Sequence, residues 1–361
     1  MKTAKWACVI SLMAVSVLGP YGERSHAQLL TATKAGLNDP SHEAQFNAVL
    51  DSGITYWDKG YLITLGLHGT LEASPSRAAL IVYDRGGQIA REPVIWIEGA
   101  KMVTVASAAI NQSGKLVVTA GALDEKGGIA TFIGEVGADD RLRNIIRITP
   151  FAPAYVCVAG DGTVWSYGMD RDEHLNGVQG SLRLRHYSFE KGQLEALLDV
   201  TKLPDYETNR EAWHATHFAP NEVDLRCNSK TVVLYNSKSG DLLEFDLQQN
   251  KMTVTKMPLP PDHCPAFCIS GFALTESGEI FASLVDRKGH DMPVSGLFRL
   301  TRKNGTAEWV AIPGALGRYP TPTARYPNES PVHTLFGADG EDLVYAKRLD
   351  GRLYWSKASS K

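Results

Sequence analysis

Histidine is the residue type whose placement here most suggests chemistry. The chain carries ten. The string Trp213-His214-Ala215-Thr216-His217 has an H-x-x-H spacing, which can bring two imidazoles onto one divalent metal. It lacks the glutamate of a helical zinc-protease motif, so hydrogen-bonded loop histidines are the competing reading. Glu222 and His333 each open a segment of strand character, and a carboxylate beside imidazoles can serve as acid or base. A solvated carboxylate is the plainer alternative. His68, His174, His263 and His290 fall in polar, turn-rich stretches. Arg318-Tyr319-Pro320 and Arg325-Tyr326-Pro327 repeat at seven residues. Arginine forks recognise carboxylates and tyrosine rings stack on sugars or peptides, though a proline-stiffened rim packs the same residues. Asp170, Asp172 and Glu173 offer oxygens to a cation such as calcium, but Arg171 between them favours a solvated loop. There is no G-x-S-x-G string and no glycine-rich phosphate loop between a strand and a helix. An elbow-type serine hydrolase and nucleotide chemistry are therefore not expected.

What positions these residues is an internal repeat. A strongly β-prone strand recurs as GYLITLGLHG from Gly60, GKLVVTAGALDEKGG from Gly114, GTVWSYGMDRDEH from Gly162, KTVVLYNSKSGD from Lys230, GEIFASLVDRKGHD from Gly278 and EDLVYAKRLDGR from Glu341. A tight polar turn precedes each: Lys59-Gly60, Ser113-Gly114, Asp161-Gly162, Asn228-Ser229-Lys230, Ser277-Gly278 and Asp339-Gly340. Such turns supply the positive φ that tight hairpins need. A second hairpin follows in five copies, as in ALIVYDRGGQIAREPVIW from Ala79 and LFRLTRKNGTAEWVAI from Leu297. Four antiparallel strands at a spacing of roughly 50 residues match a propeller blade.

The expected fold is thus all-β, a six-bladed β-propeller of four-stranded antiparallel blades forming one domain over residues 28–361. The last unit has three strands, and Leu29–Lys34 (LLTATK) is expected to donate the fourth, closing the ring without an open radial edge. Helical periodicity is absent apart from a short turn around Ser41 to Leu50. Two tandem β-sandwiches are the rival, but they do not predict six equivalent hairpins. The strings GKLVVTAG, GTVWSYG, GEIFASLVD and DGRLYWSK resemble the six-bladed, TolB-like propeller superfamily, with its NHL- and YWTD-type relatives. The resemblance is of fold. WD dipeptides, a complete Asp-box and a tryptophan-docking repeat are missing, so no family's catalytic residues carry over, and fold alone does not license function.

Propeller topology sorts the loops. The connections from second to third strand and from blade to blade share one face; the other hairpin turns share the opposite one. In the second class, the first hairpin turn of each unit is short throughout. The first class is long: 67–77, 169–180, 202–221, 258–267, 286–295 and 313–331. Every candidate named above falls in these loops or opens a strand at that end. This is the expected working face, since long loops on a rigid scaffold usually carry binding residues.

The net charge of −3 and pI near 6.4 give no basic footprint for nucleic acid. No stretch past residue 30 approaches the roughly 20 apolar residues of a membrane span. Lys2 and Lys5, the apolar run Trp6–Leu18 and the small-x-small site Ser25-His26-Ala27 read as a secretory signal over residues 1–27, cut near Ala27, rather than a short membrane anchor. Its removal takes three basic and one acidic side chain and leaves −5. Export to the periplasm or beyond is expected. Cys157, Cys227, Cys264 and Cys268 remain, an even number that invites disulfides in an oxidising compartment. Three pairings are possible, and free buried thiols are the alternative for Cys157 and Cys227.

The leading expectation is an exported, monomeric propeller that binds a small ligand, glycan or protein partner on its long-loop face, with His263, His290, Arg318, Tyr319, Arg325 and Tyr326 as contact residues. The alternative is a carbohydrate- or lactone-directed lyase or hydrolase. It would use His214, His217, Glu222 and His333 at the channel mouth, with a divalent metal on His214 and His217. A structural module of an envelope assembly is a third reading.

Overall fold

The structure is a computed structural model that describes residues 36–46, 54–66, 72–173, 176–194, 198–208, 223–236, 239–257, 267–286, 295–303, 306–317, 334–346 and 351–358. The sequence repeats become six antiparallel sheets. Their innermost long strands are Ile54–Asp58, Ala100–Ile110, Phe151–Val158, Val223–Cys227, Phe267–Leu274 and Thr334–Asp339 for blades 1 to 6, and in blade 2 the two-residue strand Glu72–Ala73, from the loop of blade 1, pairs with the inner edge of Ala100–Ile110. Each pairs with the strand that follows it through the tight turn read from the sequence. In five turns a glycine takes positive φ: Gly60 at 90°, Gly114 at 77°, Gly162 at 82°, Gly278 at 91° and Gly340 at 63°. Side-chain acceptors complete several of them, as where the Asn111 amide oxygen accepts from the backbone of Ser113 and Lys115.

Six apolar clusters hold the ring, one in each blade interface. Alternate strand residues supply them. Ala109, Val117 and Ile133 of blade 2 meet Phe151, Val156 and Val164 of blade 3. Val118, Ala120 and Phe132 face the other way, onto Ile63, Leu80 and Val82 of blade 1. Burying each such large side chain is worth roughly 1.5–3 kcal/mol. Period-two alternation thus glues each blade on both faces, which a sandwich with one solvated face per sheet does not need.

Closure occurs within blade 6, but through a different segment. The outermost place beside Arg352–Lys357 is taken by His42–Gln45, in the register His42 opposite Trp355 and Gln45 opposite Arg352. This corrects the helical turn expected around Ser41–Leu50. The backbone N–H groups of Ser41 and Phe46 reach the carbonyls of Trp355 and Gly351, and Phe46 is buried with Trp57, Leu353 and Trp355. An anchor side chain at the strand's end outweighs the poor β propensity of His-Glu-Ala-Gln. Leu29–Lys34 lies outside the described residues.

Cys157 and Cys227 are disulfide-bonded, with Cα atoms 5.7 Å apart. They stand at the ends of the innermost strands of blades 3 and 4 and tie these together near the short turns. Cys264 and the side chain of Cys268 lie outside the described residues. Among the described residues no helix is long and apolar enough to cross a membrane.

Candidate functional site

The innermost strands share an irregularity. Register shifts fall between Val105 and Ser107, Pro153 and Tyr155, Ile269 and Gly271, and Leu335 and Gly337. A bulge at the same height in blades 2, 3 and 5, and one residue nearer the hairpin in blade 6, bends each inner strand and re-aims its side chains. The residues that follow the bulges are Ser107, Tyr155, Gly271 and Gly337. Counting back from the hairpin puts Asp224 of blade 4 level with Ser107, Tyr155 and Gly271, and Tyr56 of blade 1 one residue lower, level with Gly337. Gly271 and Gly337 are where neighbouring blades touch. A Cβ at Gly271 would overlap the Leu335 carbonyl, and one at Gly337 the Trp57 carbonyl.

Around these levels a side chain crosses the axis. Blades 1 and 4 stand opposite each other in the ring, yet the Arg226 guanidinium of blade 4 lies over the Tyr56 ring of blade 1, 5.2 Å from its centroid. Arg226 also donates to the Phe272 carbonyl of blade 5 at 3.2 Å and pairs with Asp224 at 3.1 Å. The Tyr56 hydroxyl accepts from the Ala108 N–H of blade 2 at 3.0 Å and donates to the Ala108 carbonyl. Four blades therefore converge on one polar plug. Burial pushes the Asp224 carboxyl up to about 6, against Arg226 and the Leu225 backbone, which pull it down. Burial likewise raises the Tyr56 phenol well above its ordinary value.

A second layer lies beneath. The Lys59 ammonium donates to the carbonyls of Ile110 at 3.0 Å and Val158 at 2.8 Å, which end the inner strands of blades 2 and 3. Asp58 accepts from the Ile110 N–H at 2.6 Å. Further round, Asn228 donates to Thr275, and Ser277 donates to Glu341 through both its backbone N–H and its hydroxyl. The short-turn end is thus sealed by hydrogen bonds from blade to blade.

His214, His217, Glu222, His263, His290, Arg318, Tyr319, Arg325, Tyr326 and His333, with His68 and His174, lie outside the described residues. The strand ends that bracket them are described. Asp286 and Ser295, Gly317 and Thr334, and Val223 all stand at the end of the sheets away from the short turns. Asp170 is paired with Arg185 at 3.0 Å, and Asp172 accepts from both the backbone and the side chain of Asn176. That is a hydrogen-bonded loop rather than a cation cage. Among the described residues no group of three or more His, Cys, Asp or Glu side chains is placed to hold a metal ion.

Sequence reasoning missed Tyr56, Lys59, Asp224 and Arg226. In Val223-Asp224-Leu225-Arg226 the alternation resembles an ordinary strand with one wet face. On an innermost strand, however, the polar positions turn toward the axis. Placing that strand first in its blade is the signal that could have found them.

No protein-family model matches this chain, and no curated protein matches it in sequence. Solved structures resemble it at low similarity. A putative gluconolactonase is 12% identical with a TM-score of 0.41, covering 91% of this chain and 100% of its own. A gluconolactonase from Xanthomonas campestris is 11% identical with a TM-score of 0.39, covering 89% of this chain and 99% of its own. The WD40 repeats of RRP9 are 12% identical with a TM-score of 0.43, covering 89% and 85%. Such similarity carries nothing about activity, and the six-bladed architecture rests on the strand order itself.

Proposed function

We propose that this protein is an exported binding platform that seats a small ligand, glycan or protein partner at the long-loop end of its channel. The observation that carries this reading is the sealed floor: Tyr56, Arg226, Asp224 and Lys59 close the other end. The loops at the remaining end hold His263, His290, Arg318, Tyr319, Arg325 and Tyr326. The inter-blade disulfide and the amino-terminal charge and apolar pattern support an oxidising compartment. A thermal-shift screen against glycans and small metabolites tests the idea. Hits should disappear in the Arg318→Ala/Tyr319→Ala/Arg325→Ala/Tyr326→Ala variant and persist in Lys115→Ala, which changes the short-turn face. Hits that survive the loop changes contradict it.

One observation favours an enzyme as second reading. A carboxyl titrating at about 6 in a channel floor suits acid–base work near neutrality. That version predicts a stoichiometric metal in the purified protein that is lost in His214→Ala/His217→Ala. A metal-free, fully active wild type removes the metal from it.

A further inference from the structure

Gly121 sits inside the second strand of blade 2, paired with Thr104 and Thr131. Glycine weakens a strand interior unless something must come close to it. At Gly168 and Gly271 that something is backbone: a Cβ would strike the Ala152 and Leu335 carbonyls respectively. At Gly121 there is no such reason. A Cβ there would meet only the Thr131 methyl, at 4.0 Å, and φ is ordinary.

The space left free is a cleft of about 330 Å³ between blades 2 and 3. Its walls are Met102, Ala106 and Gly121 on one side and Ala152 and Pro153 on the other, with Thr104 on the inner strand. Leu123 and Ile129 complete the apolar lining, and the adjoining bulges fall at Ala106 and Ala154, next to the apolar cluster of Val117, Ile133 and Val156. Arg171 contributes the one charged group to the lining, which disfavours a cationic occupant. The cleft lies toward the long-loop end of blades 2 and 3, where Leu123 and Ile129 flank one loop and Arg171 follows the second strand of blade 3.

We propose that this inter-blade cleft binds a flat, uncharged apolar group, such as a bicyclic aromatic ring, with Gly121 kept side-chain-free to admit it. Enclosed apolar cavities of about 150 Å³ already accept benzene, and about 330 Å³ falls in the ordinary range of ligand sites. This deepens the binding-platform reading by giving the ligand's apolar part a seat, and it rests on that reading for the direction of approach.

The test uses 2-naphthol as the probe, titrated by calorimetry into the full-length protein and into Gly121→Ala and Gly121→Val. We expect saturable 1:1 binding to the wild type, a partial loss in Gly121→Ala and at least a tenfold loss in Gly121→Val. Both variants should melt at or above the wild-type temperature, because the added carbons occupy free space. Absence of saturable binding to the wild type overturns the proposal, as does unchanged affinity in Gly121→Val. A fall in melting temperature for Gly121→Ala also overturns it, since the space is then filled by the chain itself. None of these outcomes depends on the Arg318, Tyr319, Arg325 and Tyr326 variant, so the cleft and the loop site fail separately.

Discussion

Asp224 loses most of its water on folding and gains one guanidinium in exchange. Its folded value of about 6 lies above the 3.8 of a free aspartate. The folded state therefore holds the proton more tightly between those values. Stability from this group is fully present below about pH 4 and is lost as pH rises through 6. Each pH unit of separation is worth about 1.4 kcal/mol, so the loss is about 3 kcal/mol. Urea unfolding of wild type and Asp224→Asn from pH 4 to 7 should show the difference moving by that amount in the variant's favour; a flat difference contradicts the buried placement. The glycines make a second residue-scale prediction of opposite signs. Gly271→Ala forces a methyl into the Leu335 carbonyl and should cost about 3 kcal/mol by overpacking. Gly121→Ala should gain up to about 1 kcal/mol.

At the scale of elements, the disulfide and the closing strand do comparable work by different means. Cys157–Cys227 closes a loop with a sequence separation of 70. Chain-entropy reasoning assigns such a loop about 4 kcal/mol. The Cys157→Ser/Cys227→Ser variant should lose that much in denaturant unfolding, with reductant producing the same shift in wild type and none in the variant. The closing strand holds its place by register and by Phe46 rather than by propensity. Phe46→Ala should cost about 3–5 kcal/mol and lower the melting temperature. The hairpins were legible because their turns carry Gly beside Asp, Ser or Lys at a fixed offset from a β-branched run. The closing strand was not, since LLTATK is the stronger strand former and nothing local in His-Glu-Ala-Gln announces a partner at the far end of the chain. Its position depends on Trp355, whose ring centroid lies 4.7 Å from that of His42.

At the scale of the molecule, the ring and the blade number followed from repetition alone, because each copy gave the same message. The floor did not. Tyr56 and Arg226 belong to opposite blades, and no repeat pattern joins them; the contact exists only once six blades close. That contact crosses the axis in the short-turn half, and in the proposed function the long-loop side is the side of access. The most direct test of that claim is hydrogen–deuterium exchange with and without a ligand recovered from the thermal-shift screen. The account predicts ligand-dependent protection in residues 209–222, 258–266 and 318–333, with none in the short turns at 59–60, 111–115, 159–163 and 228–230. Protection confined to those short turns would contradict it.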